Sequence, residues 1–198
     1  MYNGRDDLVQ PTRGWRLIAK VAHTNRHLES DFEFTRTVLD AGYLYPLDAH
    51  GRHVVGARVS GAYIDGPRRD VPFWELTELG GDDTLRGFFP RRFLGQSHVL
   101  LNVEYRPMLF AFDFFDVWRV QVGATVFADA GRVFIDDDEL DDEFALNDEI
   151  IERIAEDFRY SVGAGLRFLV SKAIVARVDV GFSEEETGLV YLEFGHAF

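Results

Sequence analysis

Over long stretches the chain alternates apolar and polar positions with a period of two, the pattern of strands whose two faces meet different environments. Val99, Leu101, Val103 and Tyr105 share one side, with Leu100, Asn102, Glu104 and Arg106 on the other. Val120, Val122, Ala124, Val126 and Ala128 alternate in the same way with Gln121, Gly123, Thr125, Phe127 and Asp129. Val162, Ala164, Leu166, Phe168 and Val170 face away from Ser161, Gly163, Gly165, Arg167 and Leu169. Ile174, Ala176, Val178, Val180 and Phe182 face away from Val175, Arg177, Asp179 and Gly181. Further strands are predicted over Gly14–His23, Phe32–Tyr45, His53–Ile64 and Leu189–Phe198, which makes about eight in all, antiparallel to their neighbours.

Alternation does not say which face is inside. A soluble barrel turns its apolar face inward, whereas an outer-membrane barrel turns that face to lipid and keeps a polar lumen. Two features favour the membrane arrangement. The apolar face carries almost no charge over four consecutive strands, while the opposite face mixes charge with glycine. The connections are also unequal, with a tight link at Ser171 and Lys172 against long ones at Asp65–Gln96 and Phe134–Arg159, as expected of short turns at one rim and long loops at the other. The soluble ligand-binding barrel stays open as the alternative; it requires Arg167, Arg177 and Asp179 to face water and Leu166, Phe168 and Val178 to point inward.

Composition narrows the field further. Aromatic residues make up 14% of the chain, a share that suits strands and membrane interfaces. Every apolar run is cut by a charge or glycine, so no stretch reaches the roughly 18–20 residues a membrane-spanning helix needs. A net charge of −13 argues against a partner that is nucleic acid, and the absence of cysteine excludes a disulfide framework. Residues Met1–Gln10 lack the basic and apolar regions of a secretory signal, which an outer-membrane protein needs. Three readings follow: a piece of a longer precursor, a reading frame that starts late, or no membrane location.

No catalytic chemistry is indicated. There is no Gly-x-Ser-x-Gly elbow and no His-Glu-x-x-His pair, and His23, His27, His50, His53, His98 and His196 are scattered without metal-ligand spacing. The acidic run Asp136, Asp137, Asp138, Glu139, Asp141, Asp142 and Glu143, with a short helix predicted around Asn147–Ala155, reads as a solvated loop more readily than a cation site. No metal and no cofactor are expected.

The segment Leu79–Phe93, LGGDDTLRGFFPRRF, resembles the loop that defines the bacterial surface-antigen family, whose members include BamA, TamA and FhaC. Gly80, Gly81, Leu85, Arg86, Gly87 and Phe88 carry the match, as paired glycines followed by a hydrophobic-Arg-Gly-aromatic motif. Arg5, Asp6, Pro11, Thr12, Arg13 and Gly14 resemble the family's first strand of this region, and Val71, Pro72, Phe73 and Trp74 its loop before the glycines. Asn102, Glu104, Tyr105 and Arg106, then Phe127, Asp129 and Gly131, resemble the two strands after the loop. Phe194, Gly195 and Phe198 resemble the C-terminal signal by which barrel strands are recognised for assembly.

The resemblance covers essentially residues 1–198 and implies the C-terminal half of a sixteen-stranded barrel, without the periplasmic POTRA domains. It also implies a loop that folds into the lumen after the third strand, placing Arg86 beside the carboxylates of Glu104 and Asp129. A buried guanidinium requires such partners, and its planar fork bridges carboxylates better than an ammonium would. The implied role is insertion of outer-membrane proteins or translocation of proteins, with lipid and unfolded clients as partners. In some relatives such a barrel follows a lipase-like domain, so a membrane-anchor half of a larger fusion is a further alternative. Eight strands of open sheet leave two edges that lipid cannot satisfy, so completion by the missing N-terminal half or by a second copy is expected.

Overall fold

The computed structural model describes residues 1–25, 32–67, 71–115, 118–135, 157–170 and 174–195. The predicted turn at Ser171 and Lys172, the acidic run 136–143, the helix at 147–155, His27, His196 and Phe198 lie outside the described residues. Among the described residues eleven strands are formed: β1 (Tyr2–Asn3), β2 (Gly14–Thr24), β3 (Phe34–Pro46), β4 (His53–Asp65), β5 (Thr77–Leu79), β6 (Phe93–Gly95), β7 (Ser97–Phe114), β8 (Trp118–Phe134), β9 (Arg159–Val170), β10 (Ile174–Ser183) and β11 (Leu189–Phe194). Nine make one sheet in the order β1-β2-β3-β4-β7-β8-β9-β10-β11, with every pairing antiparallel. Eight of these are the predicted strands, and β1 adds a two-residue pairing at the β2 edge. The sheet is open among the described residues, with β1 and β11 at its edges.

Burial settles the direction of the faces. On β7, Val99, Leu101, Val103 and Tyr105 are exposed, while Leu100, Asn102, Glu104 and Arg106 are buried. On β10, Arg177 and Asp179 are buried, and on β9 Leu166 is exposed. The apolar face therefore lies outside and the charged face inside, the reverse of what a soluble ligand-binding barrel requires. Trp15, Tyr45, Tyr63, Tyr105, Trp118 and Tyr160 are among the exposed aromatics of this outer surface.

The connections separate by rim. The strand ends Pro46/His53, Phe114/Trp118 and Val170/Ile174 lie at one rim, whereas Asp65/Ser97, Phe134/Arg159, Thr24/Phe34 and Ser183/Leu189 lie at the other. The 66–96 connection, which follows the third long strand, contains the β5-β6 hairpin, a separate two-stranded sheet the alternation did not reveal. Its Leu79, Leu85 and Phe88 pack with Leu100 of β7 into a small apolar cluster on the concave side. A second cluster joins Phe34, Ile64 and Val71. The inner face thus mixes charged side chains with apolar ones, which gather where Leu79, Leu85 and Phe88 pack on Leu100 and also include Leu44, Val54, Leu169 and Val175 towards the opposite ends of the strands.

Strand β7 runs on to Phe114, past the end near Arg106 that its alternation indicated. Pro107 punctuates the sequence there because it has no N–H for the ladder. The β7-β8 register shifts between Met108 and Phe110, an irregularity that lets the ladder resume beyond the proline.

At the short-turn rim, the segment before β2 folds back on itself. The Asp6 carboxylate accepts hydrogen bonds from the Thr12 and Arg13 backbone N–H groups at 2.9 and 3.1 Å and from the Thr12 hydroxyl. Partial burial works against its charge, but these donors outweigh it and hold the Asp6 carboxyl below its ordinary pKa. Further on, the Gln10 side chain reaches the Gln121 side chain of β8 at 3.2 Å.

An outer face turned to lipid makes a direct expectation. Val126, at the middle of β8, is 55% exposed, so Val126→Arg should destabilise the protein by about 2–4 kcal/mol in phospholipid vesicles. Denaturant unfolding in vesicles measures this; a change within about 0.5 kcal/mol, as for a water-facing surface site, would contradict the assignment of the face.

Candidate functional site

The site is built on a square of inward-facing residues where β7 and β8 run side by side. Their register sets Asn102 opposite Asp129 and Glu104 opposite Phe127. Two carboxylates therefore sit diagonally across the ladder, with an amide and a ring at the other corners. Into this square comes Arg86 from the long loop, 1% exposed.

Every edge of the guanidinium meets a partner. Nε and Nη2 donate to the two oxygens of Asp129 at 2.9 and 2.7 Å, a bidentate fork, and Nη1 donates to Glu104 Oε2 at 2.8 Å. The Arg86 backbone N–H donates to Asp129 Oδ2 at 3.1 Å. The guanidinium carbon lies 3.6 Å from the centre of the Phe127 ring, which adds a cation-π contact. Asn102 holds the arrangement from the side, donating through Nδ2 to Asp129 Oδ1 at 2.8 Å and to the Thr84 carbonyl at 2.7 Å. Glu104 is shared with Arg106, whose Nε donates to its second oxygen. Truncating one partner in a buried set of this kind leaves an uncompensated charge, a loss on the order of 3–5 kcal/mol.

The loop tip is compact enough to deliver this side chain. Gly80 and Gly81 adopt φ of 111° and 105°, and Gly81 N–H donates to the Phe88 carbonyl at 3.0 Å, which closes the tip. Gly87 has φ 139°, and a Cβ there would lie 2.9 Å from both Phe182 O and Ser161 Cβ. The wall makes room as well: a Cβ on Gly181 would meet Arg86 O at 2.2 Å, and one on Gly163 would strike the Phe127 ring at 2.3 Å. Phe88 packs edge-on against Phe93 with ring centres 5.1 Å apart.

Charge is exchanged in both directions between loop and wall. While the loop gives a cation to wall carboxylates, its Asp82 and Asp83 meet Arg177 of β10 at 3.3 Å each. The Asp83 carbonyl also accepts from Arg58 of β4 at 2.8 Å. Arg58 in turn pairs with Asp40 of β3 at 2.6 Å, and Asp40 with Arg16 of β2 at 3.0 Å. Ion pairs, joined by the hydrogen bond from Arg58 to the Asp83 carbonyl, thus run from β2 across the concave face to β10.

The residues singled out in the sequence are placed as follows. Arg86, Glu104 and Asp129 are brought together, Gly80, Gly81, Gly87 and Phe88 form the tip that carries Arg86, and Phe194 and Gly195 lie at and just past the end of β11. Phe194 is exposed, and Gly195 N–H donates to the Val175 carbonyl at 2.9 Å. Sequence reasoning missed Tyr191, whose hydroxyl donates to the Phe88 carbonyl at 2.7 Å, and Ser183, whose hydroxyl donates to the Gly87 carbonyl at 2.7 Å. For Tyr191 a signal existed: it alternates with Val190, Leu192 and the exposed Phe194, which puts it on the inner face. The pairing of Asp82 and Asp83 with Arg177 had no such signal, since nothing local links a loop to a strand about 95 residues away.

Comparison with known proteins places this geometry. The chain matches the Omp85 superfamily domain over residues 1–198. Its fold is similar to that of BamA from Haemophilus ducreyi, in a crystal structure lacking POTRA domains 1–3, with a TM-score of 0.72 and 19% sequence identity. The likeness covers 98% of this chain but 40% of that one, so the chain spans well under half the length of that relative. The chain belongs to the Omp85 superfamily, and its sheet is a segment of a β-barrel of the bacterial outer membrane.

Proposed function

We propose that residues 1–198 are the C-terminal half of an outer-membrane barrel that inserts proteins into that membrane or translocates them across it, with the Arg86 tip as a lock inside its lumen. The observation that carries this reading is the full pairing of the Arg86 guanidinium with Asp129 and Glu104 on the concave face of a sheet whose outer face is apolar. Asn102, Glu104 and Asp129 on β7 and β8, Ser183 on β10 and Tyr191 on β11 all hydrogen-bond the Thr84–Phe88 piece of the loop, which supports a role for it inside the lumen. Phe194, Gly195 and Phe198 serve in this reading as the signal by which the last strand is recognised during assembly. Lipid covers the apolar face, and unfolded outer-membrane or secreted clients are the substrates.

The open edges at β1-β2 and β11 carry a structural requirement with them. Backbone groups that lipid cannot satisfy must pair with something, so the missing first half of the barrel or a second copy of the chain completes the sheet. Folded in detergent without an added half, the chain is expected to sediment as a dimer. A stable folded monomer would contradict completion by a second copy.

Activity is tested by reconstitution. Vesicles carrying the folded chain should speed the folding of a urea-denatured small outer-membrane barrel over empty vesicles, read by heat-dependent gel mobility, and Arg86→Ala should remove most of the gain. Equal rates with and without the chain would overturn the proposed activity; a gain untouched by Arg86→Ala would leave the activity and remove the lock from it.

A further inference from the structure

Two neighbouring residues of the loop tip hold opposite parts of the sheet. Arg86 is fixed to β7 and β8 through Glu104 and Asp129. One residue further on, the Gly87 carbonyl accepts from Ser183 at the end of β10, and its N–H lies 3.4 Å from the Tyr191 hydroxyl of β11. The Phe88 carbonyl accepts from the same Tyr191 hydroxyl at 2.7 Å. In the sheet order β9 and β10 separate β8 from β11, so this short piece of loop spans the concave side as a chord.

We propose that the tip is a strap, and that Tyr191 is the positioning residue through which the Arg86 lock holds the edge strand β11. The strand has little else to hold it. Its ladder to β10 runs over six residue pairs, from Ala176↔Phe194 to Gly181↔Leu189, and its outer side faces no strand among the described residues. Val190, Leu192 and Phe194 point outward and are exposed, so they supply no contact with the interior. Tyr191 is the inward side chain of β11 for which a hydrogen bond to the loop is formed, and it makes both of its bonds to backbone groups of the Arg-Gly-Phe tip. Above it, Arg92 of the loop pairs with Glu185 in the β10-β11 turn at 2.7 Å, a partly exposed contact that steers the same hairpin toward the loop.

The arrangement makes the mobility of the edge strand depend on the seating of the loop. With the tip seated, β11 is drawn toward the concave side and its ladder to β10 stays closed. With the tip released, β11 keeps its ladder to β10 and the partly exposed Arg92–Glu185 pair at its turn. Because the bonds run to backbone carbonyl and amide groups, the coupling depends on the position of the tip and not on the identity of the Phe88 side chain.

This inference rests on the lock proposed above, and hydrogen exchange separates the two. In the full chain folded in detergent, Tyr191→Phe should speed exchange of the β11 amides that bond to β10 by roughly fivefold, the change expected for one ordinary net hydrogen bond. The Arg86 and Phe88 amides, which donate to Asp129 and to the Leu85 carbonyl, should stay protected in that variant, whereas Arg86→Ala should release both the tip and β11. Ser183→Ala, which touches the β10 end of the same tip, should act in the direction of Tyr191→Phe and serves as a second variant. If β11 exchange is unchanged in Tyr191→Phe while Arg86→Ala frees the tip, the lock stands and the coupling through Tyr191 is overturned. If Arg86→Ala leaves the tip protected, the lock falls, and the strap with it.

Discussion

A guanidinium taken out of water has to meet its counter-charges at hydrogen-bonding distance or not be buried at all. In this protein that requirement organises the interior. Arg86 reaches Asp129 and Glu104 only because β7 and β8 pair in the register that sets those carboxylates diagonally across the ladder. That register keeps Glu104, Phe127 and Asp129 inward, because a one-residue slip of β7 would turn Glu104 to the lipid side and a slip of β8 would turn Phe127 and Asp129 there. The glycines at 163 and 181 follow from the same demand, since any side chain there would occupy the space of the Phe127 ring or of the loop backbone.

The other consequence is a loop that does more than connect. Its Asp82 and Asp83 return charge to Arg177, its apolar Leu79, Leu85 and Phe88 seal against Leu100, and its tip reaches the last strand. An open sheet of this size would otherwise depend on its ladders alone for curvature. Polar contacts from the tip, together with the apolar cluster around Leu100, tie the loop to β7, β8, β10 and β11 on the concave side.

Much of this was legible in the chain. The eight long strands follow from period-two alternation, and the unequal connections pointed to the membrane arrangement before burial settled it. The triad of Arg86, Glu104 and Asp129 came from a motif resemblance together with the cost of burying a charge. What stayed out of reach depends on contacts distant in sequence. The β5-β6 hairpin has three residues in each strand, too few to show a period. The alternation of β7 was followed only to Arg106, and the ladder beyond Met108 carries the strand on to Phe114. Tyr191 could be assigned to the inner face, but not to a partner about 100 residues earlier, because alternation gives the side of a strand and never the object it faces.

The central claim is that Arg86 and Asp129 act as one unit that holds the loop to the wall, and a double-mutant cycle on unfolding in vesicles measures it most directly. Arg86→Ala and Asp129→Ala are each expected to cost about 3 kcal/mol or more, and the double variant little more than either alone, because the second change removes the charge that the first left unpaired. Strictly additive costs, with no coupling between the two positions, would contradict the account.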